Sequence, residues 1–218
     1  MSGSISKKIV TDGLVLYLDA ANPISYPTTG TLWTDLTINK NNGTLTNGPT
    51  FNSDNGGSIV FDGSNDFVTL SNTVYTQFPH NLPWTISLTG KIISQNTTFP
   101  GFLVKGAAAS TGVLIFYSNN NLLTIKHNNV QPNVVITTES FIVTWVHTGN
   151  GTTLIYLNGN YKTDGPSMVS TDTTNPLLLG RGDMFGNVSI YNFLKYDRAL
   201  SAAEVLQNYN ATKYRFGL

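Results

Sequence analysis

Apolar and polar residues alternate with a period of two along much of this chain. The clearest case is residues 84–92 (WTISLTGKI). Trp84, Ile86, Leu88 and Ile92 take one face there, and Thr85, Ser87, Thr89 and Lys91 the other. That pattern predicts a strand with one face in a core and one in water. Shorter apolar runs recur at residues 14–18, 58–61, 67–70, 102–104, 113–117, 122–125, 134–136, 141–147, 154–157, 177–179 and 188–194. Turn signals separate them. Asp62-Gly63-Ser64-Asn65 divides one pair of runs. Asn150-Gly151 and Asn158-Gly159 mark hairpins on either side of residues 154–157, with Tyr161 starting a return strand.

Helical periodicity is convincing once, near the end. Ser201 and Glu204 have the spacing of a capping box, and Ala202, Val205, Leu206 and Tyr209 follow as an apolar stripe. This predicts one short helix over residues 201–209. The polar stretch 27–55 is the least regular. Trp33, Leu36 and Phe51 recur in it, so it reads as long loops of the same domain rather than a linker. Many short strands with a single helix give an all-β, two-sheet antiparallel sandwich. Its extent is one domain over residues 13–218, preceded by a segment, residues 1–12, suited to docking onto another protein.

Composition narrows the partners. The 218 residues include no cysteine, which removes disulfides, thiol catalysis and thiolate metal sites. Only 11% of residues are charged and the formal net charge is zero. A nucleic-acid binder needs a basic patch and a peripheral membrane protein a basic cluster, so both are disfavoured. A surface of Asn, Thr, Ser and Gly suits neutral partners, sugars or other proteins. Lys7 and Lys8 precede an apolar run that Asp12 and Gly13 interrupt. That run is too short for a signal peptide or a membrane span. If the protein acts outside a cell, something other than this segment carries it there, virion assembly followed by lysis being one route.

Candidate chemistry is sparse. Glycoside hydrolysis needs two carboxyls flanking one bond. The only glutamates are Glu139 and Glu204, and Asp183 and Asp197 lack a partner at alternating spacing. His80, His127 and His147 are scattered, and no G-x-S-x-G elbow occurs. His147 ends the alternating row Phe141, Val143, Trp145 and reads as a core residue. The expectation is a protein that is not an enzyme. Calcium is the best metal candidate, because it takes oxygens from carboxylates, amides and carbonyls. Asp35, Asn39, Asn41 and Asn42 crowd one loop, and Asp62, Asn65 and Asp66 another. The competing role for these side chains is to close turns on their own backbone. Candidate aromatic platforms for sugar are Tyr26, Trp33 and Tyr75, with Phe99 and Tyr117 behind them. The competing role for each is to fill the core. Arg181-Gly182-Asp183 spells an adhesion tripeptide that turn geometry accounts for.

Four segments carry a family resemblance. They are GLVLYLDAANPISYPTTGTLWTDL (13–36), NNGTLTNGPTFNSDNGGSIVFDGSNDFVTL (41–70), TWVHTGNGTTLIYLNGN (144–160) and GNVSIYNFLKYDRALSAAEVLQNYNATKYRFGL (186–218). Together they resemble laminin-G-like, concanavalin A-like lectin/glucanase jelly rolls over nearly the whole chain. The wording is most similar to single-domain structural proteins of tailed phages, marine ones especially. The resemblance implies two antiparallel sheets of about six or seven strands each. It implies glycan binding on a concave face or its rim, calcium near the rim in many members, and glycosidase activity in some. The glycosidase E-x-D-x-E pattern is missing, and Thr37-Ile38 and Ser189 depart from the usual calcium-loop wording.

The reading that follows is a non-enzymatic virion structural protein, exposed on the virion surface as a capsid decoration, fibre or tail-associated component. Its expected partners are other virion proteins, further copies of itself and cell-surface or environmental glycans. The alternative is a calcium-dependent carbohydrate-binding lectin module outside any virion. A glycoside hydrolase is the least favoured.

Overall fold

Alternation along the chain translates directly into strands. The computed structural model of the protein describes residues 8–94, 101–106, 113–118, 122–127, 132–136, 140–167 and 174–218. The strands begin with β1 (Leu14–Asp19), β2 (Leu32–Trp33), β3 (Gly43–Thr46), β4 (Thr50–Asn52), β5 (Ser58–Asp62) and β6 (Phe67–Leu70). Next come β7 (Trp84–Ile92), β8 (Gly101–Lys105), β9 (Val113–Ser118), β10 (Leu122–His127) and β11 (Asn133–Val135). The last are β12 (Phe141–His147), β13 (Thr153–Leu157), β14 (Asn160–Asp164), β15 (Leu177–Leu179) and β16 (Asn187–Tyr196). Helix α1 (Ala202–Thr212) follows, then a 3-10 turn, Lys213–Phe216.

The strands form two antiparallel sheets. The first runs β14-β13-β12-β7-β16-β5-β4, with β1 also paired to β16. The second runs β11-β10-β9-β8-β15-β6-β3-β2. Among the described residues each sheet has eight strands, more than the six or seven expected. Three of the additional strands, β2, β3 and β4, lie in the stretch read as long loops. Two to four residues are too few to display a period, so only pairing reveals them: β3 with β6, β4 with β5, and β2 with β3. The β13–β14 hairpin turns on Asn158 and Gly159, whose φ values of 51° and 75° are both positive, as a two-residue turn of this hand requires.

The core lies between the sheets. Trp33, Trp84 and Trp145 are fully buried there. Trp84 meets Phe78 edge-on at 5.0 Å and Trp145 edge-on at 5.3 Å. His147 ends its core-facing row, stacked on Trp84 at 5.3 Å with Nδ1 2.9 Å from the Leu82 carbonyl. Burial holds its pKa below the ordinary imidazole value.

A second layer covers part of the first sheet's outer face. Val205 of α1, Val10, Leu194 and Tyr196 form a smaller apolar cluster there, and Phe216 packs on Tyr191 beside it. This corrects the simple picture of a wet outer face. Thr85, Ser87 and Thr89 are buried. They tolerate burial because they are bonded: Ser87 to Thr144 at 3.0 Å, Thr89 to Asn192 at 2.8 Å, and Thr85 to the Arg198 carbonyl at 2.9 Å. The helix stripe is also shifted. Leu206 is exposed, whereas Val205 and Asn208 are buried. Part of the expected N-terminal arm packs against the domain. Ile9 and Val10 pack on the outer layer, and residues 1–7 lie outside the described residues. No helix among the described residues is long and apolar enough to cross a membrane.

Candidate functional site

The loop after β2 gathers the first set of proposed calcium ligands. Asp35 is fully buried. Its Oδ1 accepts from the amides of Tyr17 and Thr37, both at 2.9 Å. Its Oδ2 accepts from Thr37 Oγ1 at 2.8 Å and the Asn41 amide at 2.9 Å. Asn42 Oδ1 accepts from the Asp35 amide at 2.9 Å, and Asn39 Nδ2 donates to the Val15 carbonyl at 2.9 Å. Asn41 Oδ1 is taken by Thr73 Oγ1 at 2.7 Å. The loop therefore does bring Asp35, Asn39, Asn41 and Asn42 together, but as a closed hydrogen-bond hub.

The second set closes a turn. Asp62 Oδ1 accepts from the Ser64 amide at 2.8 Å, and Asp66 Oδ2 accepts from the Asp62 amide at 3.2 Å. Burial raises the Asp66 pKa. Calcium needs six to eight oxygens facing one point. The Asp35 carboxylate already serves four protein donors, so the first set does not fit the ion. No group of three or more His, Cys, Asp or Glu among the described residues is arranged to hold a metal.

The proposed sugar platforms fall on different ground. Tyr26 and Trp33 are core residues, which corrects their reading as exposed faces. Tyr26 leans on Phe51 at 6.0 Å and donates its hydroxyl to the Gly30 carbonyl at 2.8 Å. Tyr75 is half-buried in the 3-10 turn Val74–Thr76. Phe99 and the Tyr117 side chain lie outside the described residues.

The open part of the first sheet's outer face holds a groove that Tyr26, Trp33 and Tyr75 do not line. Its volume is about 470 Å³, within the range of small-molecule sites. Val60, Ser189 and Lys91 stand in line across β5, β16 and β7 and make the floor with Ser58. Asn52, Asp54 and Asn55 rise from the β4–β5 turn as one wall, and half-exposed Ile93 contributes to the opposite side. Alternation from Ser189 brings Tyr191 to this outer face, and the register shift between Ile190 and Asn192 puts Asn192 there as well. The Tyr191 hydroxyl accepts from Asn55 Nδ2 at 3.3 Å and closes one end of the groove. Lys91 makes no hydrogen bond or ion pair among the described residues. The groove thus offers hydroxyls, amides, one carboxylate and one ammonium on a strand framework. Alternation in residues 84–92 placed Lys91 outward, but only the register put it beside Ser189 and the β4–β5 turn.

Comparison with known proteins matches this architecture. The sequence profile of the concanavalin A-like lectin/glucanases superfamily matches residues 61–206, and the chain belongs to that superfamily. A search of curated proteins found no match. Among solved structures, Trypanosoma rangeli sialidase in complex with 2,3-difluorosialic acid superposes with a TM-score of 0.72 at 14% identity, covering 99% of this chain and 35% of that one. The binding domain of Paraclostridial Mosquitocidal Protein 1 gives 0.72 at 15%, covering 91% and 52%. The binding domain of botulinum neurotoxin DC in complex with rat synaptotagmin II gives 0.70 at 14%, covering 93% and 52%. The chain spans between about a third and a half of these proteins. At such identities the likeness is one of fold.

Proposed function

We propose that the protein is a non-enzymatic binding and display module that takes neutral glycan in the groove on the first sheet. The groove carries the argument. Its hydroxyls, its amides and the charges of Lys91 and Asp54 are the groups that bond sugar hydroxyls, and its strands hold them in place. Asp54 is the one carboxylate among its lining residues, and glycoside hydrolysis uses two. The toxin binding domains of similar fold are consistent with a role in recognition. The setting we propose is the outside of a tailed-phage particle. It rests on the resemblance of the chain's wording to structural proteins of such phages, and on the low-charge, cysteine-free composition.

The test is a glycan array with the whole chain, followed by calorimetry on the Lys91→Ala and Asn55→Ala variants. Binding lost in both variants, with melting temperature unchanged, is expected. Glycan binding that survives both variants removes the groove from consideration. For the setting, quantitative mass spectrometry of purified particles is expected to show a fixed copy number, and absence from particles rejects it.

A further inference from the structure

Residues 180–186, between β15 and β16, fold back as a small hairpin. Arg181 and Phe185 pair across it. Gly182 and Gly186 donate to the carbonyls of Met184 and Gly180, both at 2.9 Å. The hairpin is fastened to the start of β8: Gly180 donates to the Phe102 carbonyl at 2.9 Å, and Gly101 to the Met184 carbonyl at 3.2 Å. Contact is so close that a Cβ on Gly101 would lie 1.9 Å from the Gly182 nitrogen. The hairpin is therefore a rigid extension of the second sheet.

Arg181 and Phe185 sit on this hairpin with Phe67 of β6 beside them, all three half-buried. The Arg181 guanidinium lies 4.9 Å above the Phe185 ring. Phe185 lies 6.3 Å from Phe67 at a 35° tilt. Phe67 alternates with core-facing Val68 on β6, so it faces outward. The chain has three arginines. Arg198 is ion-paired to Asp12 and Glu204, and Arg215 to Asp19. Arg181 makes no hydrogen bond or ion pair among the described residues. An arginine held on an aromatic ring with its donors unspent is preorganised for an anion.

We propose that Arg181, Phe185 and Phe67 form a second site, for a sugar that carries a carboxylate. The guanidinium fork takes the planar carboxylate in paired, charge-assisted hydrogen bonds. The parts of the two phenyl rings left uncovered by Arg181 take the C–H surface of the sugar ring beside the carboxylate. Neutral sugars lack the group the fork addresses. Asp183, exposed on the same hairpin, reduces the local positive potential, so its removal strengthens binding. The proposal extends the glycan-binding reading to another ligand class at another place, and it uses none of the groove's residues.

The test is calorimetry of the whole chain with three probes: tetragalacturonate, sialyllactose and lactose. Binding of either acidic probe supports the proposal, and comparison of the two tells hexuronate from sialate as the source of the carboxylate. Arg181→Gln is expected to weaken that binding by about tenfold or more, the cost of a lost charge-assisted pair. Phe185→Ala is expected to weaken it as well, and Asp183→Asn to tighten it. Neutral-glycan binding, which depends on Lys91 and Asn55, is expected to survive Arg181→Gln, which separates this site from the groove. Melting temperatures within error of the parent show that the variants are folded. Failure of both acidic probes to bind overturns the proposal, as does undiminished affinity in folded Arg181→Gln.

Discussion

The Lys195 ammonium lies 5.4 Å from the centroid of the Phe78 ring, inside the sandwich. Lys195 is 3% exposed. Burial pulls its pKa from 10.5 down to about 8, opposed by the charge of Asp197 and reinforced by that of Lys105. Between those two pH values the unfolded chain binds the proton and the folded chain does not, so stability rises with pH there. The gain is about 3 kcal/mol at most. Above pH 10 the buried phenols oppose it. Tyr196 is pushed up to about 12 and Tyr17 further, mainly by burial, so the unfolded state sheds protons first and stability falls. Urea denaturation from pH 7 to 11 is expected to show a maximum near pH 10. Lys195→Met is expected to be more stable at pH 7 by ~1–3 kcal/mol and to lose the rise.

Asp35 joins β1, its own loop and, through Asn41, the turn at Thr73. Asp35→Asn turns an amide donor toward groups that themselves donate, and is expected to cost about 2–4 kcal/mol in denaturant unfolding. A native state that bound calcium would gain stability with the ion's concentration. The melting temperature is instead expected to be the same in chelator and in excess calcium. A rise with calcium would refute the closed-hub account.

Glu204 caps α1 and pairs with Arg198 in a two-pronged contact of 2.6 Å and 3.1 Å. The Arg198 hydrogen bond and then the Ser201 amide hold its carboxyl down to about 2. A depressed carboxylate contributes above its unfolded value of 4.5, and that contribution fades as pH falls toward 2. Glu204→Gln is expected to lower the melting temperature at pH 7 by about 2–4 °C. Its deficit should shrink in thermal scans as pH drops from 4.5 toward 2.

Asn208 is the polar member of the buried helix face. Its Oδ1 accepts from the Val10 amide at 2.8 Å, and its Nδ2 donates to the Tyr196 hydroxyl at 3.0 Å. Asn208→Leu keeps the volume but leaves the Val10 amide without a partner. A loss of about 1–3 kcal/mol is expected, with faster proteolysis near residue 10.

Much of the fold was legible in the chain. Period-two alternation located β7 and β12, the Asn158-Gly159 pair located the β13–β14 turn, and Ser201 with Glu204 located the start of α1. Each of these signals is local, acting over one turn or a few residues. The short strands β2 to β4 were hidden because two to four residues show no period of their own, and the partners that reveal them, β3, β6 and β5, lie outside each strand.

The candidate sites were legible only in part, for the same reason. Residue types along the chain determined a two-faced sandwich, a neutral exterior, and an Asp35 loop rich in oxygen atoms. Whether those oxygens faced an ion or backbone amides depended on the Tyr17 amide across the β1 edge. The burial of Thr85, Ser87 and Thr89 depended on what packed over them. Lys91 met Ser189 and the β4–β5 turn by register, and among the described residues no carboxylate folded against Arg181. Alternation states that a strand has two faces. Only tertiary packing decides what each face meets, because burial and hydrogen bonding are set by partners the local sequence does not contain.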